Sequence, residues 1–301
     1  FISCLFSLAF YTYIGFAIFL YYVAYIPMTG IYRHFIRKPH DLTERYGKKS
    51  WAVITGGSDG IGKALALELA KKGFNLFLMA RTEDKLKKVA EEIKAEHKIE
   101  TKYLAKDFSK SFDQHFYDDI KQQTKGLDVS ILINNVGIGN RVAEDGNQIQ
   151  NDLNMVITNA CPQAALSAHF IPLLAKREKT SAVINLSSFQ GGKPNAINPL
   201  YSATKGFNDY LSRASAWDYI GSIDFLSSRP SWVSTPLTGM KVAGTVISAE
   251  DCATGTLAKL GHDDWTNGHW KHAIFYHLFY ALPDFYFQPT GIKLRPKTKT
   301  E

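Results

Sequence analysis

Tyr201 and Lys205 lie four residues apart in Tyr201-Ser202-Ala203-Thr204-Lys205, a spacing that puts both side chains on one face of a helix. A tyrosine hydroxyl ordinarily ionises near pH 10, and a fixed positive charge beside it favours the phenolate. Lys205 would supply that charge and bring proton donation and recovery closer to neutral pH, as a general acid requires. Ser188 stands thirteen positions upstream, at the end of the apolar run in Asn185-Leu186-Ser187-Ser188, where its hydroxyl can bond a substrate oxygen. A Tyr and a Lys four apart arise by chance on many amphipathic helices. With Ser188 and the glycine-rich turn described next, the set becomes specific. Asn159, by residue type alone, reads as a helix-bending polar residue of a core.

The turn is Thr55-Gly56-Gly57-Ser58-Asp59-Gly60-Ile61-Gly62, between a short apolar run at 51–55 and an amphipathic stretch at 61–72. Any tight turn uses glycine, but a strand before it and a helix after it make a dinucleotide site: Gly56, Ser58, Asp59, Gly60, Ile61 and Gly62 let the backbone approach a pyrophosphate at the positive helix end. The second apolar run ends at Ala80-Arg81, without the acid that would accept from an adenosine ribose. Arg81 offers a planar fork of donors to a 2′-phosphate instead, which favours NADPH/NADP over NAD. The plainer reading is an exposed arginine at a helix start.

These groups need a scaffold, and the pattern supplies one. Apolar runs at 51–55, 75–79, 101–105, 130–134 and 182–186 alternate with helical periodicity, and long helices are expected over 152–176 and 200–219. Strand–helix alternation implies an α/β fold, a Rossmann-type doubly wound parallel sheet forming one domain over 51–260. Before it, residues 1–28 carry no charge and are long enough to cross a bilayer, which predicts an N-terminal transmembrane helix. A signal peptide is the competing reading, but the run is long for one and has no clear small-residue cleavage site. Residues 29–50 are expected to be a juxtamembrane linker, with Arg33, Arg37 and Lys38 suited to an anionic membrane surface. The segment 261–301 is aromatic, and its 270–287 stretch, interrupted by Pro283 and Asp284, is expected to be interfacial or packed on the core rather than spanning.

The 301-residue chain is 45% hydrophobic and 21% charged, as a globular protein requires. Its formal net charge is +7, yet the lysines of 85–98 interleave with Glu91, Glu92 and Glu96, the pattern of a solvated helix face rather than a nucleic-acid surface. Cys4, Cys161 and Cys252 are too scattered for a zinc or redox motif, so no metal is expected and unpaired thiols in a reducing compartment follow.

The glycine turn, Asn134-Asn135-Val136-Gly137, Ser188, Tyr201 and Lys205 together resemble the short-chain dehydrogenase/reductase family over 51–237. The resemblance implies hydride transfer from a nicotinamide to a carbonyl carbon while Tyr201 protonates the oxygen, Ser188 orients it, and Lys205 binds the ribose. It implies that Asp107 contacts the adenine and that Asn135 and Gly137 line the cofactor, in a motif where Val136 replaces the usual alanine. Val233 and Thr235 would contact the nicotinamide amide, and Asn159 would complete a tetrad by holding a water that relays protons to the lysine. Arg229-Pro230-Ser231 departs from the family's usual Pro-Gly, with Ser231 in place of glycine and Arg229 expected beside the cofactor pocket. Within the family, the apolar N-terminus, the Ser58–Gly62 turn and Asn267-Gly268-His269-Trp270-Lys271-His272-Ala273 resemble the very-long-chain 3-oxoacyl-CoA reductases, which are similar to 17β-hydroxysteroid dehydrogenases of type 12. That branch implies an acyl-CoA or sterol-like substrate and an endoplasmic-reticulum membrane, with a mitochondrial membrane as the alternative. The family also implies a homodimer. A steroid or retinoid dehydrogenase, or an accessory subunit of a membrane complex that keeps the fold, are the other readings.

Overall fold

A computed structural model of the chain describes residues 2–139, 147–193 and 198–281. It divides into two units, at 1–38 and 39–301. The first is helical from Ile2 to Ile36: α1 (Ile2–Leu20), a π-helical turn (Tyr21–Tyr25), α2 (Ile26–Ile31) and a second π-helical turn (Tyr32–Ile36). Its segment Phe10–Ile36, 27 residues long, is apolar and long enough to cross a membrane. At a rise of 1.5 Å per residue such a run reaches about 40 Å, more than the ~30 Å of a hydrocarbon core. The helix therefore continues eight residues beyond the expected end of the anchor at 28.

The second unit begins earlier than its first strand. Asp41 caps α3 (Leu42–Tyr46) by accepting from the Thr43 and Glu44 amides, and Leu42 and Tyr46 are buried. Arg45 donates twice to Asp224, at 2.6 and 3.0 Å, and the Tyr46 hydroxyl adds a third bond to the same carboxylate. Residues 39–50 were expected to be linker. Two buried side chains and an anchored arginine make them part of the domain.

Strands β1 (Trp51–Thr55), β2 (Asn75–Ala80), β3 (Thr101–Ala105), β4 (Val129–Asn134), β5 (Ser181–Leu186), β6 (Ile223–Ser228) and β7 (Trp265–Thr266) form one sheet in the order β3-β2-β1-β4-β5-β6-β7. Every pairing is parallel. Helices α4 (Gly60–Lys71), α5 (Glu83–His97), α6 (Asp118–Thr124), α7 (Gln148–Leu174), α8 (Pro199–Asp218), α9 (Ala249–Leu257) and α10 (Trp270–Ala281) surround it. Strands β1, β2, β4 and β5 are buried along their whole length because both faces are covered. Ala52, Ile54, Leu76 and Leu78 join the core beneath α4, α5 and α9, while Trp51, Val53, Phe77 and Met79 join the other core, beneath α6 and α7. On α5 the exposed lysines sit within 4.0 Å of Glu91 and Glu92, the solvated face that the charge pattern implied.

The strand order reverses between β1 and β4, and a crevice at the carboxyl ends of strands opens at such a switch point. Thr55 ties the two strand ends together: its hydroxyl oxygen accepts from the amides of Asn135 (2.9 Å) and Val136 (3.0 Å), while Asn135 Nδ2 donates to the Thr55 carbonyl (2.8 Å). The glycine turn and the Asn-Asn-Val-Gly segment are thus locked side by side.

Candidate active site

The glycines of the turn have local physical causes. Gly56 and Gly60 sit at φ +68° and +54°, a left-handed backbone that side chains rarely adopt. A Cβ on Gly62 would overlap the Gly56 carbonyl oxygen and Asn135 Nδ2, so only glycine lets α4 start this close to β1. Asp59 caps that helix by accepting from the Gly60 amide at 2.8 Å. Gly56 and Gly57 both donate to the Met79 carbonyl, which sets the turn against the end of β2.

A cleft of about 270 Å³ opens above this turn. Of the residues expected to hold a cofactor or do chemistry, Gly56, Asp59, Gly60, Ile61, Asn135, Gly137, Ser188, Tyr201, Lys205, Val233 and Thr235 line it. Gly62 lies buried beneath the turn, and Ser58 is a half-buried part of it. Arg81 and Asp107 follow β2 and β3, outside the cleft walls. Arg81 is exposed, and Asp107 accepts from the Ser109 amide and hydroxyl at 3.1 and 2.9 Å, capping a short 3₁₀ turn.

Ser188 lies two residues past the end of β5 in extended backbone, and its oxygen accepts from the Gln190 amide. Tyr201 lies in the first turn of α8, which Pro199 opens, and Lys205 one turn further on. Burial raises the Tyr201 pKa, and a hydrogen bond with the Ser188 hydroxyl opposes that rise. Lys205 was expected to pull the phenol down, but its effect is not the governing one here. Its Nζ lies 5.8 Å from the Tyr201 ring centre and donates to the Leu186 carbonyl at 2.8 Å. Burial also lowers the lysine's own pKa to about 8. Asn159 lies behind the cleft: its Oδ1 accepts from the Ile138 amide (2.8 Å), and its Nδ2 donates to the Ile138 carbonyl and Thr204 Oγ1, both at 3.1 Å. It thereby fixes the strand end that carries Gly137 relative to α8.

A second cleft of about 400 Å³ shares Ser188, Tyr201, Ser231, Leu237 and Thr238 with the first and is otherwise walled largely by aromatics. Trp232, Phe189, Phe275 and Phe279 line it, with Gln190 and Asn198 as polar exceptions. The rings of Phe275 and Phe279 in α10 lie 5.0 and 4.7 Å from Phe189, and the Tyr280 hydroxyl donates to the Phe189 carbonyl. The expected C-terminal helix is therefore packed on the site, while Trp270, Ile274 and Leu278 remain exposed on another face. Residues 282–301, including the rest of that aromatic segment, lie outside the described residues.

Arg229 was expected beside the cofactor pocket; its neighbours Pro230 and Ser231 line the cleft, and Arg229 itself does not. It is buried against Asp209, with Nε and Nη2 donating at 2.6 and 2.7 Å, its guanidinium over the Trp265 ring and Nη1 reaching the Tyr276 hydroxyl. A fully paired guanidinium is tolerated in a core, and this one ties β6, α8 and α10 together. Sequence reasoning missed Thr55 as a strand-end clamp and Trp232, Leu237 and Thr238 as cleft walls, for which no motif spacing gave a signal.

A parallel sheet with a glycine cradle at its switch point and a Ser–Tyr–Lys set beside it defines a dinucleotide-dependent oxidoreductase. The comparisons with known proteins agree: the short chain dehydrogenase family matches residues 50–244, and the chain belongs to that family. Its relatives include very-long-chain 3-oxoacyl-CoA reductase of Bos taurus, 35% identical over 77% of this chain and 75% of the relative. Another is the inactive hydroxysteroid dehydrogenase-like protein 1 of Homo sapiens, 34% identical over 81% of this chain and 75% of the relative. Among solved structures, one from a study of 7β-hydroxysteroid dehydrogenase stereoselectivity superposes with a TM-score of 0.71 at 24% identity, covering 83% of this chain and 98% of that one, a likeness of fold.

Proposed function

We propose that the protein reduces the 3-oxo group of a long-chain acyl-CoA to a 3-hydroxyl with NADPH. The observation that carries this reading is the shared wall of the two clefts: Ser188 and Tyr201 face both the glycine cradle and the aromatic cavity. A dinucleotide fits the cradle because a Cβ at Gly56 or Gly62 would intrude on Asn135, and the close backbone approach leaves main-chain groups for a pyrophosphate. The 2′-phosphate would fall to Arg81, the exposed cation after β2. NADPH held there would supply the hydride that the carbonyl carbon needs.

The chain's own residues do the rest. The Ser188 hydroxyl holds the substrate oxygen, and the Tyr201 hydroxyl donates its proton to that oxygen as charge develops there. A phenol whose pKa burial keeps high retains this proton until the oxygen needs it. Lys205, protonated below about pH 8, provides positive charge near the phenolate left behind and donors for the ribose. Asn159 keeps the Gly137 strand end and α8 in register, and Val233 and Thr235 wall the nicotinamide end. Phe189, Phe275 and Phe279 accept the acyl chain, at about 0.8 kcal/mol per buried methylene.

The apolar helix at Phe10–Ile36 and the substrate's lipid character support a membrane enzyme of the endoplasmic reticulum. Exposed Leu153 and Val156 on α7, and Phe207, Tyr210 and Trp217 on α8, support pairing of two copies through these helices. A second reading, a family member that keeps the fold without turnover, is favoured by the inactive relative.

NADPH oxidation in detergent micelles with a long-chain 3-oxoacyl-CoA, comparing the native chain with Tyr201→Phe, tests the proposal. Turnover lost in the variant supports it. NADPH binding without turnover in the native chain, across acyl and steroid carbonyls, favours the second reading.

A further inference from the structure

The segment that leaves β6 lines both clefts through Ser231, and its backbone is held by a ladder of bonds from the Thr266-to-His272 stretch. The Arg229 amide donates to the Thr266 carbonyl (2.7 Å), and Asn267 Nδ2 donates to the Arg229 carbonyl (3.1 Å). The last rung is His272, which is fully buried. Its Nδ1 lies 3.2 Å from the Ser231 amide, and its Nε2 lies 3.0 Å from the Thr245 carbonyl. An amide can only donate and a carbonyl can only accept, so the ring carries its proton on Nε2 and presents a bare lone pair at Nδ1. Thr245 in turn sits in the turn closed by Ala243 and Val246, directly before Ile247, which pairs with Val233 and accepts from the Ser234 amide at 2.8 Å.

We propose that His272 is a positioning residue: its neutral imidazole clamps the Ser231 backbone to the 245–247 segment and so sets the wall shared by the cofactor and substrate clefts. This inference rests on reading those clefts as the reductase site. A second proton would place an Nδ1–H against the Ser231 N–H, break that bond and leave two donors facing each other. Burial favours the neutral ring by pushing its pKa below the ordinary 6.5. The neighbouring charges do not favour protonation. His269 lies 6.4 Å away ring to ring, Lys271 extends its ammonium to the Gly244 carbonyl, and Arg229 is paired with Asp209.

The test compares the full-length chain in detergent with His272→Leu, which removes both bonds, and His272→Asn, which keeps an acceptor near the Nδ1 position. A wall displaced by about 1 Å is expected to lower kcat/KM on the order of 10- to 100-fold in the leucine variant. Asparagine is expected to recover most of this and to lack the decline in rate expected of the native enzyme in acid, at a pH below the ordinary imidazole value of 6.5, where His272 takes its second proton. Amide hydrogen exchange across 229–235, read at one pH, is expected to rise in His272→Leu and return in His272→Asn. That second measurement needs no turnover, so an inactive native chain would count against the reductase reading while the clamp is still judged. A folded leucine variant with native kcat/KM, native acid decline and native exchange overturns the proposal. If leucine prevents folding, an asparagine variant that keeps the native acid decline overturns it alone.

Discussion

Lys205 Nζ donates to the Leu186 carbonyl at 2.8 Å from a site where burial drops the lysine pKa from 10.5 to about 8. A folded-state pKa below the unfolded value contributes stability above pH 10.5 that is lost as pH falls from there through 8. At pH 7 the buried charge therefore costs the fold ~3 kcal/mol before its hydrogen bond is counted. Lys205→Met is expected to abolish turnover while raising stability by ~1–2 kcal/mol, read by urea denaturation at pH 7. In the native enzyme, kcat/KM for reduction should fall as pH rises through about 8, where the cofactor-free enzyme loses the lysine charge. A less stable methionine variant would show that the bond to Leu186 outweighs desolvation.

The Arg229–Asp209 pair should behave in the opposite way. Both groups are buried, and Asp209 also accepts from Ser227 Oγ at 2.6 Å. Asp209→Ala leaves an unpaired guanidinium inside and is expected to destabilise by about 3–5 kcal/mol. Neither residue lines the cofactor cleft, so NADPH affinity measured well below the melting temperature should hold within about twofold. A large loss of affinity in a folded variant would place the pair in the site after all.

Two glycines separate cradle from chemistry. Gly62→Ala pushes a Cβ into backbone and should remove NADPH binding, measured by cofactor fluorescence. At Gly137 a Cβ would meet Asn159 Oδ1 and Lys205 Nζ, each at 3.2 Å, a fit that small shifts can accommodate. Gly137→Ala should bind NADPH within a fewfold of native and lose most of its kcat. Equal losses of affinity in both variants would contradict this division.

Arg81→Ala should weaken NADPH by about 10- to 100-fold and leave NADH unchanged, because a charged hydrogen bond to a 2′-phosphate contributes about 1.5–3 kcal/mol. Competition of the two nucleotides in one titration reads the ratio. Parallel weakening of both would assign Arg81 a role outside phosphate selection.

Much of this protein was legible in its sequence because local rules governed it. Parallel strands buried on both faces read as short apolar runs, as at 51–55 and 75–79. The turn needs glycine wherever backbone approaches backbone, and a helix places residues four apart on one face, so Tyr201 and Lys205 were paired before any fold was known. What spacing could not express was direction and burial. Arg229 read as a neighbour of the cofactor pocket, but where an arginine's guanidinium goes depends on where Asp209 stands, twenty residues away on another element. The sign of the Tyr201 shift turned on desolvation, which exists only once the chain has folded around the residue. Leu42 and Tyr46 read as linker because five helical residues carry no periodicity to detect, and only the tertiary structure buried them and paired Arg45 with Asp224. His272 became a clamp by the same route: two backbone segments, forty-one and twenty-seven residues upstream, meet its two nitrogens only in the folded chain.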